Sequence, residues 1–332
     1  MSDTAPGPRR RPASRRLLWI IGAVVAAGLG AVLAVIMLGP GGPAVRGDRV
    51  EVVLPPLAAA PSTAPDPDLV EQSPDGPLPI IGRDGREPWR VYARPFDATD
   101  HRPLVAVVIS GLGLDAALTR DAVARLPASV TLGFSPYTRD LAAEIAAARK
   151  AGHEVLIGLP LEPADFPRQD PGPETLLTTL DPSQNLLRLK WVMSRGTNYV
   201  GLVGIMGQRF STVRTSLEPV LEAMKQRGVM YVDNHAAGAS VAGEIGRDLG
   251  MAWAVADRRL DGETDAAAID QSLASLETIA AQQGVALGVG AAYPLTVERV
   301  IAWAPTLASK GIVLAPASAI AGRQQVPASP TP

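Results

Sequence analysis

The sequence predicts an α/β fold, a β/α barrel that follows one transmembrane helix and a proline-rich linker. Two observations predict this organisation: an uncharged apolar run near the N-terminus, and short β-branched runs that alternate with amphipathic stretches from Leu104 onward. The chain has 332 residues, 47% of them hydrophobic, which is enough material for one large domain or two small ones.

The composition excludes several classes of protein. The chain has no cysteine, so it is neither a disulfide scaffold nor a thiolate metal protein. Its net charge is -2, and its arginine cluster is confined to the first sixteen residues, whereas a nucleic-acid-binding domain needs a basic face. We therefore expect no nucleic-acid partner.

The first predicted element is a membrane-spanning helix. Residues Leu17 to Leu38 contain no charge, and at about 1.5 Å per residue a helix of this length reaches roughly 33 Å, enough to cross the hydrocarbon core. Five arginines lie in residues 1–16 and only Arg46 and Arg49 follow closely, which places this basic tail in the cytoplasm. The sequence thus predicts a single-pass inner-membrane protein with a periplasmic C-terminal domain. A cleaved signal peptide is the alternative, and whether the helix is ever removed stays open.

Proline-rich sequence follows the predicted helix. Residues 39–77 carry many prolines and glycines and no sustained apolar period, which predicts a semi-rigid, extended linker. We predict the folded domain over residues 78–322 and a disordered tail over residues 323–332. Near the start of the domain, Trp89, Tyr92 and Phe96 are expected to pack on the barrel as structural residues.

The domain itself reads as a repeat of strands and helices. The predicted strands are Leu104 to Ile109, Val130 to Phe134, Glu154 to Leu159, Tyr199 to Val203, Val229 to Val232, Ala252 to Ala256, Val285 to Val289 and Ile312 to Leu314. The clearest amphipathic stretches between them are Leu141 to Ala151, Leu217 to Arg227, Ala266 to Gln283 and Val297 to Ser309, most of them followed by a glycine.

A barrel explains this alternation better than a doubly wound sheet. The segment Gly111-Leu112-Gly113 after the first strand lacks the third glycine of a dinucleotide fingerprint, and no acidic residue ends the second strand. In a β/α barrel the chemistry lies at the C-terminal ends of the strands. The residues that follow each predicted strand are therefore the candidates for a functional site.

Five segments at or near these strand ends carry a shared pattern. They are Val108 to Gly113, Gly152 to Pro163, Met206 to Ser211, Tyr231 to Asp233 and Gly288 to Pro294, with Asp170 to Pro173 between the second and the third. In this order and spacing they resemble the divergent polysaccharide deacetylases, over roughly Leu78 to Ile320. The resemblance implies a distorted β/α barrel of about seven strands, related to metal-dependent carbohydrate deacetylases, which are hydrolases acting on C–N bonds other than peptide bonds.

The same resemblance implies a metal site whose ligands this chain lacks. In such enzymes an aspartate and two histidines hold a divalent metal, and a second aspartate is the general base. Here Ser110 and Gly111 stand in place of two adjacent aspartates, Ile205 replaces the histidine of an Asn-His-Met-Gly motif, and Ala291 and Tyr293 replace the histidines of a Gly-His-Pro-His motif. The expected Asp-His-His set is missing, so we expect no metal ligand set and no cofactor.

Three chemistry-bearing residues remain as candidates for a residual catalytic cleft. Glu162 and Asp233 stand where the family has acidic residues, and His235 is the histidine that follows a predicted strand at the catalytic end. A structural role is the alternative for Glu162, whose carboxylate could accept hydrogen bonds from neighbouring backbone N–H groups. A Ser110, His235 and Asp233 triad is a further, weaker alternative, because no nucleophile elbow surrounds the serine.

Three more residues are candidates for substrate binding. Asp257 and Asp261 also match acidic positions of the family, and Arg209 matches an arginine of its third motif. Arg209 could clamp an anionic glycan, or it could pair internally with one of the aspartates.

Three hypotheses for function follow from these observations. The first is a membrane-anchored, extracytoplasmic family member with a degenerate catalytic site that binds a cell-envelope polysaccharide or an envelope protein. The second is an active metal-dependent de-N- or de-O-acetylase that holds zinc through an unusual set such as Asp233, His235, Asp257 and Glu162. The third is a purely structural element of an envelope complex. The sequence leaves open whether the domain is an enzyme, which glycan or partner it meets, and its oligomeric state.

Overall fold

The computed structural model describes residues 62–235 and 238–325, which belong to one compact unit of the chain. The predicted basic tail and transmembrane helix, and the linker up to residue 61, lie outside the described residues. None of the helices in the described ranges combines the length and the hydropathy that a bilayer crossing requires.

A curled parallel sheet forms the centre of the domain. Its strands are β3 (Leu104–Leu112), β4 (Thr131–Phe134), β5 (Val155–Leu161), β6 (Gly201–Met206), β7 (Met230–Asp233), β8 (Trp253–Val255), β9 (Arg258–Arg259), β10 (Val285–Ala291) and β11 (Val313–Ala315). The order is β8-β7-β6-β5-β4-β3-β10-β9, with β11 beside the first half of β3. All eight predicted strand runs appear in this sheet.

The two ends of the strand order are joined by one stretch of chain. β8 pairs with β7, β9 pairs with β10, and only two residues separate them. The N–H of Ala256 donates to the Asp233 carbonyl at 2.8 Å, and that of Leu260 donates to the Val289 carbonyl at 2.9 Å. The fold is therefore barrel-like, as predicted. The sheet has nine strands among the described residues rather than about seven, because this extended stretch changes partner and β11 adds a short neighbour to β3.

Helices surround the sheet and connect its strands. They are α1 (Pro88–Val91), α2 (Ala116–Arg125), α3 (Leu141–Lys150), α4 (Pro182–Met193), α5 (Arg214–Gln226), α6 (Ala242–Leu249), α7 (Ala266–Gln283) and α8 (Pro294–Trp303). Side chains of Asp115, Asp140 and Asp265 accept backbone N–H groups at three helix starts. The stretch predicted to be helical to Ser309 ends at Trp303, and 3-10 turns follow, because Pro305 has no N–H to continue the ladder.

Strand alternation divides the core into two layers. On β3 the side chains of Leu104, Ala106 and Val108 face an inner cluster, whereas those of Val105 and Val107 belong to the cluster under the helices. Side chains of the inner cluster therefore fill the barrel interior.

The folded unit begins upstream of the predicted boundary at residue 78. A 3-10 turn (Pro67–Leu69) leads into a hairpin of β1 (Val70–Ser73) and β2 (Gly76–Pro79), and Leu69 is fully buried in the inner cluster. The proline density of this stretch conceals one buried apolar anchor, Leu69, upstream of Leu78, where the predicted domain begins. Tyr92 is buried, and Trp89 and Phe96 pack against the same cluster, in agreement with their predicted structural role.

The folded unit also extends past residue 322. Gln324, assigned from sequence to a disordered tail, accepts the N–H of Val255 at 2.8 Å and donates to the carbonyl of the same residue at 2.6 Å. The side-chain amide of Gln324 thus pairs with the edge of β8 as a backbone amide of a further strand would. A hydrophobic pattern cannot predict this contact, because it is made by a polar side chain.

Candidate functional site

A cavity of about 230 Å³ lies at the C-terminal ends of the strands, where a β/α barrel carries its chemistry. We call it the mouth cavity. Residues from five strand ends and from the long loop after β5 line it: Ser110, Gly111, Gln169, Gly204, Ile205, Met206, Gln208, Asn234, Arg259, Asp261, Val289, Gly290 and Ala291.

Four of the five positions where this chain departs from the family's aspartates and histidines line this cavity, namely Ser110, Gly111, Ile205 and Ala291, whereas the fifth, Tyr293, does not. Ser110 and Ala291 are register partners on neighbouring strands, and Ile205 lies on β6 across the sheet. The Ser110 hydroxyl donates to the Gly290 carbonyl at 3.3 Å. The Ile205 side chain extends over Gly158, where it fills the space that a Cβ of that residue would occupy. The wall that would hold a metal therefore carries a hydroxyl, an alkyl chain and a methyl group.

Asp261 and Arg259 form the charged side of the mouth cavity. They alternate on one stretch, at and after β9, so both project to the same side. The buried Asp261 carboxylate accepts the Ala291 N–H at 2.5 Å and the Thr296 hydroxyl at 3.2 Å, and its other oxygen lies 3.5 Å from Arg259 Nε. Asp261 thus ties β9 to β10, while the guanidinium of Arg259 remains more than half exposed.

Amide side chains form the polar part of the opposite wall. Asn234 donates from Nδ2 to the Met206 carbonyl at 3.2 Å. Met206 and Gly207 both have positive φ, 59° and 95°, so the chain turns sharply as β6 ends and brings the next residue to the cavity. That residue is Gln208, and its Oε1 is buried without a hydrogen-bond partner. A buried acceptor of this kind is costly unless a ligand donor meets it.

Glu162 and Arg209 lie beside the mouth cavity and contact each other. The buried Glu162 carboxylate accepts the N–H of Thr178 at 2.5 Å and its hydroxyl at 2.7 Å, and its second oxygen lies 3.4 Å from Arg209 Nη1. Arg209 thus pairs internally, although with Glu162 rather than with an aspartate. Glu162 closes the long loop after β5 onto the barrel, which is the structural alternative for this residue.

Asp233 and His235 are brought together through the backbone. The buried Asp233 carboxylate accepts the His235 N–H at 2.6 Å and the Ser240 hydroxyl. Burial raises the pKa of this carboxyl above its usual range. His235 has a φ of 54°, its side chain is exposed, and it does not line the mouth cavity. Asp233 therefore orients a loop rather than the imidazole, and with Ser110 bonded to Gly290 the triad is not assembled.

Asp257 lies at the junction of β8 and β9, away from the mouth cavity. Its carboxylate accepts hydrogen bonds from the Leu287 N–H at 2.8 Å and from Gln324 Nε2 at 3.0 Å. Burial raises the pKa of this carboxyl. Asp257 thus joins β10 to the C-terminal segment. Of the six residues proposed from sequence, Asp261 lines the mouth cavity, and the other five do not: Glu162, Arg209, Asp233, His235 and Asp257.

The residues present do not suit a divalent metal. Within residues 62–235 and 238–325 no group of three or more histidine, aspartate or glutamate side chains is arranged to hold one ion. Glu162, Asp233, Asp257 and Asp261 each already accept two hydrogen bonds from the protein. Hard-ligand sites need carboxylate and imidazole groups that converge on one point.

Sequence reasoning missed the amide residues and Arg259. Asn234 directly follows β7 and Gln208 comes two residues after β6, and each stands next to a residue that was singled out, Asp233 and Arg209. Arg259 lies two residues before Asp261, so strand alternation placed it on the same side. These signals were available in the sequence. Gln169 comes from the long loop after β5, and no local pattern marks it.

A family profile and one solved structure agree with this architecture. The sequence profile of a family described as "divergent polysaccharide deacetylase" matches residues 107–321. The crystal structure of an uncharacterized protein from Agrobacterium tumefaciens C58 is similar, with a TM-score of 0.71 and 36% identity, over 74% of this chain and 99% of that chain. A protein of Enterococcus faecalis V583 provisionally named for cellobiose-phosphate cleavage has a TM-score of 0.46 and 14% identity, over 66% of this chain and 99% of that one. No curated protein matches the chain significantly.

Proposed function

The chain belongs to the divergent polysaccharide deacetylase family, and from this premise we propose that it binds cell-envelope glycan at the mouth cavity without hydrolysing it. The family points to a carbohydrate-related function. The observation that carries the proposal is that four of the five replaced positions line one cavity, whose walls now offer amides, a guanidinium and apolar side chains.

The lining of the mouth cavity is suited to a polyhydroxylated ligand. Sugar-binding sites combine apolar surface with a few well-placed polar groups. Gln208 Oε1 is a buried acceptor that a sugar hydroxyl could meet, Arg259 offers N–H donors, and Val289 and Ala291 provide apolar wall. These groups recognise hydroxyls without any need for a Lewis acid.

An active deacetylase with an unusual zinc site is the alternative. It would use Glu162, Asp233, Asp257 and His235, and the three carboxylates all hold loops or strands in place. Moving them to a metal would break six hydrogen bonds that these carboxylates accept from the protein. These hydrogen bonds favour binding over catalysis, and zinc-dependent release of acetate from a chitin or peptidoglycan oligomer would overturn the proposal.

We further propose that the domain acts in the periplasm, held at the inner membrane by the helix predicted over residues 17–38. The arginine asymmetry around that segment supports this orientation. An envelope protein bound by the same domain is the alternative partner, and a membrane protein that copurifies while glycans fail to bind would favour it.

The substitution Gln208→Leu tests the mouth cavity as the binding site. It removes the unpaired acceptor at nearly constant volume, so binding of peptidoglycan-derived oligosaccharides is expected to weaken about 3- to 10-fold. Stability should stay the same or rise slightly, because the free protein loses a buried polar atom that has no partner. Isothermal titration calorimetry and urea unfolding measure the two quantities.

The matched control is Gln282→Leu, which makes the same change on the exposed surface of α7. This variant should change neither the affinity for the oligosaccharides nor the free energy of unfolding. Equal glycan affinity for the Gln208 variant, the Gln282 variant and the natural chain would place binding elsewhere.

A further inference from the structure

A second hollow lies beside the mouth cavity. Its volume is about 250 Å³, and it is lined by Asp261, Thr264, Ile269, Tyr293, Leu295 and Thr296. Asp261 lines both spaces, so one carboxylate separates them and they adjoin. We call this space the Tyr293 hollow.

Tyr293 presents an aromatic ring to solvent at this point. Its side chain is 52% exposed, and among the described residues it is the exposed aromatic, since the other aromatic side chains there are buried or half-buried. A single exposed aromatic side chain needs no explanation by itself, but Tyr293 also lines the hollow that adjoins the mouth cavity. Tyr293 supports the fold through its backbone: it is the N-cap residue of α8, and its N–H donates to the Ala291 carbonyl at 2.8 Å. The ring is therefore available to a ligand.

The volumes indicate a ligand longer than one sugar ring. Each space alone falls below the roughly 300–1,000 Å³ of a typical small-molecule site, whereas together they fall within that range. A pyranose has a C–H face that packs against the electron-rich face of an aromatic ring, and its hydroxyls need polar partners. Thr264 provides an exposed hydroxyl in the lining of the same hollow, and Leu295 provides apolar surface.

We propose that the site takes an oligosaccharide of at least two linked sugars, with one sugar in the mouth cavity and the next stacked on Tyr293. This rests on the proposed glycan binding and adds a chain-length requirement and a specificity-determining residue. Asp261, at the boundary, lies where the glycosidic linkage crosses from one space to the other.

The test compares affinity with chain length in the full chain. Oligosaccharides of β-1,4-linked N-acetylglucosamine and peptide-free peptidoglycan glycan, each of one, two and four sugars, are titrated by calorimetry. For the natural chain, affinity should rise between one and two sugars. Tyr293→Ala should lose that rise, a drop of about 5- to 10-fold for two sugars, whereas Tyr293→Phe should retain it. Leu187→Ala, which trims an exposed apolar residue on α4, is the control and should bind like the natural chain.

The outcomes separate this inference from the proposed function. If Tyr293→Ala binds all lengths like the natural chain while Gln208→Leu weakens binding, the stacking position is wrong and the mouth cavity remains the site. If the natural chain binds neither glycan at any length, both proposals are overturned.

Discussion

A variant that carries Ser110→Asp, Ile205→His and Ala291→His together is expected to bind zinc with a dissociation constant of about 1 μM or lower. The three positions line the same cavity, and Ser110 and Ala291 are register partners on adjacent strands. The substitutions return one carboxylate and two imidazoles, the three protein ligands of a catalytic zinc site. Calorimetric titration of zinc into the metal-free variant measures the affinity.

The single substitution Ser110→Asp is the matched control for this gain. One carboxylate does not make a zinc site, so this variant should show no binding in the micromolar range. If the triple variant is folded, with unchanged circular dichroism, and still fails to bind zinc, the three positions do not converge as the structure places them.

Replacing Glu154 with alanine is expected to destabilise the domain by about 3–5 kcal/mol. This fully buried carboxylate lies at the opposite end of the barrel, just before β5. It accepts the N–H of Arg94 at 3.2 Å, the N–H of Ser318 at 3.0 Å and the Thr131 hydroxyl at 3.2 Å, as well as the Ser318 hydroxyl. One carboxylate thus holds the N-terminal arm and the C-terminal segment against the barrel. Alanine would leave four donors without an acceptor.

The loss would also affect a buried cation nearby. Burial lowers the pKa of the Arg149 guanidinium to about 10, and the charge of Glu154 opposes that shift. Urea unfolding followed by tryptophan fluorescence measures the stability. Glu222→Ala, an exposed glutamate on α5, is the control and should change it by no more than about 0.5 kcal/mol. Similar unfolding midpoints for the two variants would show that Glu154 does not join the chain ends.

Most of the fold could be predicted from sequence because its signals are local. Each strand run is β-branched and lies between stretches with helical period, so all eight runs appear in the sheet and α7 has the predicted limits. The change of partner strand at Ala256 and Asp257, from β7 before them to β10 after them, has no local signal. It depends on which edge of the sheet each half of an extended stretch meets, and no residue pattern encodes that.

The candidate site could be predicted only in outline. Residues after strands were correctly expected to gather at one end, but whether a side chain enters the cavity or holds a loop depends on its partners. Glu162 and Thr178 are sixteen residues apart, and Asp261 meets the Ala291 N–H across thirty. Such pairs turn conspicuous carboxylates into structural residues. The inconspicuous Gln208 and Asn234 are left to line the mouth cavity.

If the barrel mouth is a binding cavity from which the metal site has been lost, the natural chain should hold no stoichiometric zinc and show no zinc affinity in the micromolar range. Calorimetric titration of zinc into the natural chain, with elemental analysis of the purified protein, measures both. One zinc per chain, lost on His235→Ala, would overturn this expectation and favour the alternative of an active deacetylase with an unusual ligand set.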